Sequence, residues 1–181
     1  MRILKKIGIG IGALLSALLI AGLFLPSKIH VERSVLIQAS PEAIFRMVND
    51  LEQYQRYSPF MAADPQAKIS WGDKRVGIGA SMSWNGEKTG QGTMTIIDAR
   101  SPEYVTLDLD FKEKGKAVAF FRFEDREGGR NATWGYDADF GANVPMRYFG
   151  LVADKVMGQY FEKGLAGMKE IVEKESPLKA K

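Results

Sequence analysis

The feature that most constrains this chain is a series of strands with one aromatic face, followed by one long amphipathic helix. Apolar and polar residues alternate in three segments between residues 105 and 140, which is the period of a half-buried strand. The apolar sides of these segments are Val105, Leu107, Leu109 and Phe111; Ala117, Ala119, Phe121 and Phe123; and Ala132, Trp134, Tyr136, Ala138 and Phe140. A sheet with one such face must cover it with another element.

The cover is predicted from residues 145–173, where apolar residues recur every three or four positions, as in a helix. The predicted apolar face of this helix consists of Phe149, Val152, Val156, Phe161, Leu165, Met168 and Val172. A helix lying in the concavity of a curved antiparallel sheet of about six or seven strands accounts for both patterns. The sequence therefore predicts an α+β fold.

The start of this fold is also readable. Residues 31–37 have the alternation of a strand, and Ser40 and Pro41 then have the residue types of a helix N-cap and a first helical position. A short amphipathic helix should follow, with one or two further turns over residues 51–57 before Pro59 breaks the run.

The N-terminal run begins at Ile7, ends at Leu25 and contains no charged side chain. As a helix, residues 7–25 would be roughly 28 Å long, close to the hydrocarbon thickness of a bilayer. Arg2, Lys5 and Lys6 precede the run, so the positive-inside rule predicts a cytoplasmic N-terminus. We therefore expect one transmembrane helix that anchors the chain in the membrane.

This anchor predicts a single-pass protein of a bacterial inner membrane with a periplasmic or otherwise extracytoplasmic domain. The alternative is a domain secreted after signal cleavage, although the run is long for a signal peptide and its end lacks a small-x-small motif. The predicted division is an anchor and hinge over residues 1–28, one domain over residues 29–175, and a tail over residues 176–181.

The composition excludes several classes of protein. Four of the 25 basic residues precede Ile29, which leaves 21 against all 22 acidic residues and a net charge near −1 for the domain. Such a domain lacks the basic footprint of a nucleic-acid-binding protein. The chain has no cysteine, which excludes disulfides, thiolate catalysis and cysteine-based metal sites.

The order of elements resembles the helix-grip fold of the START and Bet v 1-like (SRPBCC) superfamily. The resemblance is carried by VERSVLIQASPEAIFRMVNDLEQYQRYSPF, VGIGASMSWNGEKTGQGTMTIIDARSPEYV and FEKGLAGMKEIVEK. These segments are most similar to the bacterial polyketide cyclase/dehydrase and lipid-transport-like branch. The resemblance implies a cavity between the sheet and the long helix that binds lipids, sterols, polyketides or other apolar small molecules.

The predicted ligand-binding residues are methionines and aromatic residues expected to face inward. They are Met82, Trp84, Met94, Phe121, Phe123, Trp134, Tyr136, Phe149 and Met157. Adaptable methionines and flat aromatic rings suit a cavity for an apolar ligand, but the same residues could fill a close-packed core. An entrance is predicted near Tyr54, Tyr57, Phe60 and Trp71.

We expect a membrane-tethered domain that binds or carries an apolar small molecule or lipid, with no cofactor, no metal and no covalent chemistry. One alternative is a cyclase or dehydratase that acts on a polyketide-like substrate. Its acid/base candidates are Tyr136, Arg147 and Asp154, of which the last two are expected on the solvent side of the helix. The other alternative is a filled core that docks a membrane-protein partner.

Other polar residues are predicted to lie on the surface. His30 is the only histidine, and we expect it between the anchor and the first strand without a partner. Four aspartates alternate with the apolar positions and should therefore occupy the polar face of the sheet, away from the cavity, with Arg122 as a partner. They are Asp108, Asp110, Asp137 and Asp139.

Overall fold

The strands form one antiparallel sheet in the order β1-β7-β6-β5-β4-β3-β2. The computed structural model describes residues 2–177, so positions 178–181 of the predicted tail lie outside the described residues. In chain order the elements are α1 (Arg2–Leu23), β1 (Lys28–Ile37), α2 (Pro41–Asn49), α3 (Leu51–Tyr57), α4 (Pro59–Ala63), β2 (Lys68–Trp71), β3 (Ser81–Gly86), β4 (Gly90–Arg100), β5 (Tyr104–Asp110), β6 (Lys116–Arg126), β7 (Gly129–Asp139) and α5 (Val144–Glu175). The predicted α+β helix-grip fold is confirmed.

The short helices begin where capping chemistry places them. The Ser40 side chain accepts a hydrogen bond from the amide of Ala43, with Pro41 at the first helical position of α2. Asp50 ends α2 and caps α3 through the amide of Glu52. Pro59 ends the run of α3 as predicted and also begins α4, because proline is compatible with the first turn of a helix.

The sheet register brings several chain connections to one end of the molecule. β1 pairs with β7 over its whole length, from Lys28 opposite Asp139. The start of β6 lies at the same end, because Ala117 is opposite Ala138 near the end of β7. β5 is antiparallel to both β6 and β4, so β4 and the β3–β4 hairpin begin there too. The hinge after α1, the β3–β4 and β5–β6 connections and the loop before α5 therefore cluster there.

α5 crosses the concave face of the sheet and buries Phe161, Leu165, Met168 and Val172, as predicted. The prediction is wrong for Val152 and Val156, which are 50% and 39% exposed. The reason is that small residues make the contact between α5 and β1. A Cβ atom at Gly150 would lie 3.1 Å from Ile29, and one at Gly158 would collide with the Arg33 guanidinium, so the valines lie on the opposite side.

α1 contains the one stretch of the described residues that is long and apolar enough to cross a membrane. This stretch is Lys5–Leu23, with a mean hydropathy of 2.0 and nearly all of its side chains exposed. Its length and composition fit either a membrane anchor or a signal sequence near the N-terminus.

Candidate functional site: an apolar cavity under the long helix

A cavity of about 700 Å³ lies between the concave face of the sheet and the helices α3, α4 and α5. The sheet side is formed by Trp84, Met94, Leu107, Leu109, Ala119, Phe121, Trp134 and Tyr136. The helix side is formed by Tyr54, Phe60, Met61, Ala63, Met146, Met157, Tyr160 and Phe161. The wall is therefore made of aliphatic, aromatic and methionine side chains, together with the hydroxyls of three tyrosines.

Trp134 is the centre of an aromatic cluster at the inner end of the cavity. Its ring is stacked on Phe161, with a centroid distance of 4.7 Å and an interplanar angle of 15°, and Phe121 is also 4.7 Å away. Tyr54 and Phe60 contact the same ring edge to face at 6.0 and 6.1 Å. Such pairs fix ring orientation, so this cluster forms a rigid floor.

Trp84 forms the opposite wall because a glycine faces it. A Cβ atom at Gly92, its cross-strand neighbour on β4, would collide with the six-membered part of the indole ring. The absence of a side chain there lets the ring lie flat on the strand. Phe111 packs edge to face on the outer side at 5.9 Å and also lines the cavity.

The mouth lies at the end of the sheet where the connections cluster, and its rim is polar. The lining side chains that carry charge are Lys88, Glu113, Lys116 and Asp139, and all four are exposed in the described structure. Phe140, Asn143 and Met146 complete the rim on the side of α5.

Asp64 ties the end of α4 to the β3–β4 hairpin at this mouth. One oxygen of its buried carboxylate, Oδ2, accepts hydrogen bonds from the amides of Lys88 and Thr89 at 2.8 and 3.0 Å and from the Thr89 hydroxyl at 3.2 Å. The amide hydrogen bonds, that of Thr89 first, lower the pKa of Asp64. The carboxylate therefore stays ionised and keeps the rim closed on this side.

The groups inside the cavity are poorly suited to acid/base chemistry. Burial raises the pKa of Tyr54 to about 12 and also raises the pKa of Tyr136. Both hydroxyls are therefore neutral at physiological pH and can donate one hydrogen bond each. Among the described lining residues, no carboxylate or imidazole lies deep in the cavity beside them.

Six of the nine predicted ligand-binding residues line the cavity. They are Trp84, Met94, Phe121, Trp134, Tyr136 and Met157. The other three lie elsewhere. Met82 is fully buried and its sulfur accepts a hydrogen bond from Gln55, Phe123 packs against Phe45 of α2, and Phe149 packs against Phe140 outside the cavity.

Two of the four residues of the predicted entrance line the cavity. Tyr54 and Phe60 line the cavity, whereas Tyr57 is buried against Trp134 behind it. Trp71 lies on β2 with the Arg75 guanidinium 4.9 Å from its ring, away from the cavity. The polar rim at the end of the sheet is formed by other residues of the lining.

The acid/base candidates of the enzyme hypothesis do not come together. Asp154 is exposed, as expected, and forms a bidentate pair with Arg33 at 2.9 and 3.0 Å. Arg147 is half-buried rather than solvated, because its guanidinium donates to the carbonyls of Leu23 and Leu25 at the end of α1. Only Tyr136 of the three lines the cavity.

Three predictions about surface residues need correction. His30 belongs to β1 and has partners: Nδ1 lies 2.7 Å from Asp137, and this hydrogen bond raises the pKa of His30. Asp139 lies at the mouth rather than away from it, because β7 ends there. Its carboxylate accepts from the amide of Gly141, which lowers the pKa of Asp139. Arg122 pairs with Glu32 at 3.2 Å instead of with the aspartates.

Several lining residues were not predicted as ligand-binding. Leu107, Leu109, Phe111 and Ala119 share the predicted apolar face, so the alternation contained the signal that could have found them. Met61 and Tyr160 had no such signal, because the orientation of a helix as short as α4 depends on its tertiary contacts.

A curved antiparallel sheet that grips a long helix over an apolar cavity defines a ligand-binding class of helix-grip domain. A family model described as polyketide cyclase / dehydrase and lipid transport matches residues 28–173, and the chain belongs to this family. No curated protein sequence matches the chain significantly.

Solved structures with little sequence identity have the same fold. A Staphylococcus aureus protein of unknown function is 17% identical with a TM-score of 0.61, covering 82% of this chain and 95% of that chain. Major latex-like protein 151 from Panax ginseng is 13% identical with a TM-score of 0.54, covering 80% and 97%. The Aha1 dimer from Colwellia psychrerythraea is 12% identical with a TM-score of 0.53, covering 84% and 99%.

Proposed function

We propose that this protein holds an apolar small molecule or lipid in the cavity beneath α5 while α1 tethers it to a membrane. The observation that carries the proposal is the cavity itself, whose volume of about 700 Å³ is enclosed by apolar walls and opens at a polar rim. Ligand sites of proteins have volumes of roughly 300–1,000 Å³ and the same combination of apolar walls with a few polar groups.

The cavity supports binding more strongly than catalysis. A cyclase or dehydratase needs an acid or base within hydrogen-bonding reach of the substrate, with a pKa near the working pH. Burial moves the pKa of Tyr136 away from that range, and the charged lining residues lie at the rim. The tyrosine hydroxyls are suited instead to orienting a polar group of a bound ligand.

The cavity also supports ligand binding over docking through a filled core. Protein interiors are close-packed, and the few voids within them are seldom larger than a water molecule. A space of about 700 Å³ beneath α5 is far larger than such a packing defect.

The proposed tether is supported by the length and composition of α1 and by the position of the mouth. The apolar stretch Lys5–Leu23 ends five residues before β1 begins, on the same end of the sheet as the mouth. A short connection raises the effective concentration of membrane lipid at the rim. We therefore infer a domain outside the cytoplasm whose ligand comes from, or goes to, the membrane that anchors it.

Two neighbouring tryptophan substitutions test the cavity. Ala119 lines it, whereas Val118 lies on the opposite face of β6 and is 36% exposed. The full-length protein and the variants Ala119→Trp and Val118→Trp are purified from the host membrane, and solvent extracts are compared by mass spectrometry. Annular lipids will be common to all three proteins. We expect one apolar species to be abundant in the wild-type and Val118→Trp extracts and depleted from Ala119→Trp.

Thermal unfolding checks that both variants are folded. If the space beneath α5 were already filled, Ala119→Trp would overpack the core and lower the free energy of unfolding by typically about 1–3 kcal/mol. Identical extracts from three folded proteins would rule out the cavity as the ligand site.

A further inference from the structure

The end of α1 packs against the beginning of α5. The Tyr148 hydroxyl donates to the carbonyl of Leu18 at 2.7 Å, and the Arg147 guanidinium donates to the carbonyl of Leu23 at 2.7 Å. Gly22 makes the approach possible, because a Cβ atom there would collide with Val144 and Tyr148. The last two turns of α1 and the first two turns of α5 are thus in direct contact.

The length of α1 fixes where this contact lies if the helix spans a bilayer. Residues 7–17 alone would form a helix of roughly 16 Å, about half of a hydrocarbon core of about 30 Å. Residues 18–25 must therefore lie in the core as well. The Leu18 carbonyl is then roughly 10 Å of helix rise inside the end of the apolar run. The Tyr148 side chain, which donates to this carbonyl, therefore reaches into the hydrocarbon, and the first turns of α5 that carry it lie at the apolar–polar boundary.

The composition of α5 fits this position. Residues 144–153 contain one charged side chain, Arg147, and its guanidinium donates to main-chain carbonyls. Polar groups near hydrocarbon need hydrogen-bond partners within the protein. The Arg147 guanidinium and the Tyr148 hydroxyl both have such partners, because each donates to a main-chain carbonyl of α1. The first acidic residue of the helix is Asp154.

Outside α1, three large apolar side chains are exposed next in sequence to the residues of this contact. Phe24 is 86% exposed, Leu151 is 64% exposed and Val152 is 50% exposed. We call these three residues the shoulder. Exposed apolar residues that continue a membrane-spanning helix mark a surface for lipid, because they flank a segment that is itself surrounded by lipid.

We propose that the shoulder inserts into the apolar–polar boundary of the bilayer leaflet on the side of the domain. This inference rests on the proposed membrane tether and extends it. Asn143, the N-cap of α5, and Met146, in its first turn, line the mouth of the cavity. The mouth therefore opens onto the lipid surface, and the ligand is a lipid of that leaflet that enters without crossing bulk water.

The absence of cysteine from the chain makes a direct test possible. Single substitutions Leu151→Cys, Ser16→Cys and Ala166→Cys, each in the full-length chain, provide sites for an environment-sensitive fluorophore. Residue 16 lies within α1, and residue 166 is exposed further along α5. The labelled proteins are reconstituted in phosphatidylcholine vesicles that carry a nitroxide quencher either high on one acyl chain or near its end, because residue 16 lies at the middle of the apolar run 7–25. We expect quenching at residue 151 by the shallow quencher, quenching at residue 16 by the deep quencher, and no quenching at residue 166 by either.

The outcomes separate the two proposals. Quenching at residue 16 without quenching at residue 151 would keep the tether and overturn the inserted shoulder. The same result is expected if a second copy of the chain, rather than lipid, covers the shoulder. A lack of quenching at both positions would overturn the tether and the shoulder together. Substitution at these exposed positions should leave the fold intact, which circular dichroism of each variant checks.

Discussion

The interior of the domain has two halves that differ in how they are filled. Beneath α2, α3 and the C-terminal half of α5, side chains such as Ile44, Leu51 and Leu165 are at most 1% exposed. Beneath α4 and the N-terminal half of α5, side chains such as Leu109 and Met157 are only partly buried and border the cavity. The apolar face of one sheet is therefore closed at one end and open at the other.

The difference lies in the helices rather than in the sheet. α2 presents four buried side chains to the sheet in nine residues, whereas the five-residue α4 has none that is buried. The Trp134 cluster separates the two halves, with Phe121 and Phe161 on its faces. Short covering helices leave a cavity where longer amphipathic ones complete a core.

The largest expected effect comes from a leucine in the filled half. Leu165→Ala should lower the free energy of unfolding by about 2–5 kcal/mol, because a buried leucine leaves a void that its surroundings fill only in part. Leu109→Ala should cost roughly 1 kcal/mol or less, because Leu109 is only partly buried and its removal merely widens an existing space.

Urea titration of the full-length chain in detergent measures both variants. The three tryptophans, all in strands of the sheet, report unfolding by fluorescence. Equal losses for the two variants would show that the cavity collapses in solution and that the interior has no open half.

A smaller effect is expected from the clamp that holds α5 over the open half. Arg33 of β1 donates to Asp154 at 2.9 Å and, through Nε, to Glu162 at 2.9 Å, with Gly158 beneath the guanidinium. Arg33→Gln should destabilise the protein less than Leu165→Ala, because exposed carboxylates are screened by water.

The clamp has a pH signature. The Arg33 hydrogen bond lowers the pKa of Asp154 in the folded state, so its contribution is complete above the unfolded carboxyl pKa of about 3.9 and is lost as the pH falls through the lower folded value. The stability difference between wild type and Arg33→Gln should be constant near neutrality and shrink below about pH 4. The matched control, Lys163→Gln, lies at an exposed position of α5 that forms no ion pair within the described residues, and it should show no comparable convergence. A wild-type advantage that grows in acid would contradict the clamp.

Most of the fold could be predicted from the sequence because it is encoded by repeated local patterns. The alternation around Trp134 identified the buried face of β7, and the spacing of Phe161 to Val172 identified the buried face of α5. The pattern failed at Val152 and Val156, where glycines make the closest contact with β1. A helical spacing of large apolar residues does not reveal a contact made by small ones.

The candidate site was less predictable, because the same apolar residue types line a cavity and fill a core, and only tertiary packing separates the two. Residue type placed Trp84 and Phe123 together in the predicted site, yet only the first faces the open half. The sequence gives no indication that α4 stops short of the core. Arg147 was similarly predicted to be solvated, because its carbonyl partners at the end of α1 are distant in sequence.

The smallest expected change in ligand affinity comes from Asp64 at the rim, whose main effect should be on the rate of ligand exchange. The carboxylate joins α4 to the β3–β4 hairpin through three hydrogen bonds, and Ala63, Lys88 and Thr89 of these two elements line the mouth. Asp64→Ala removes the link without changing the apolar wall. Entry and release of a fluorescent fatty acid, measured by stopped flow on the full-length protein, should both accelerate while the equilibrium affinity stays nearly constant. Asp98→Ala, at the far end of β4, is the matched control and should leave both rates unchanged. Loss of affinity without faster exchange would contradict this role. Asp64 and the end of α4 would then belong to the ligand-binding wall of the cavity rather than to its rim.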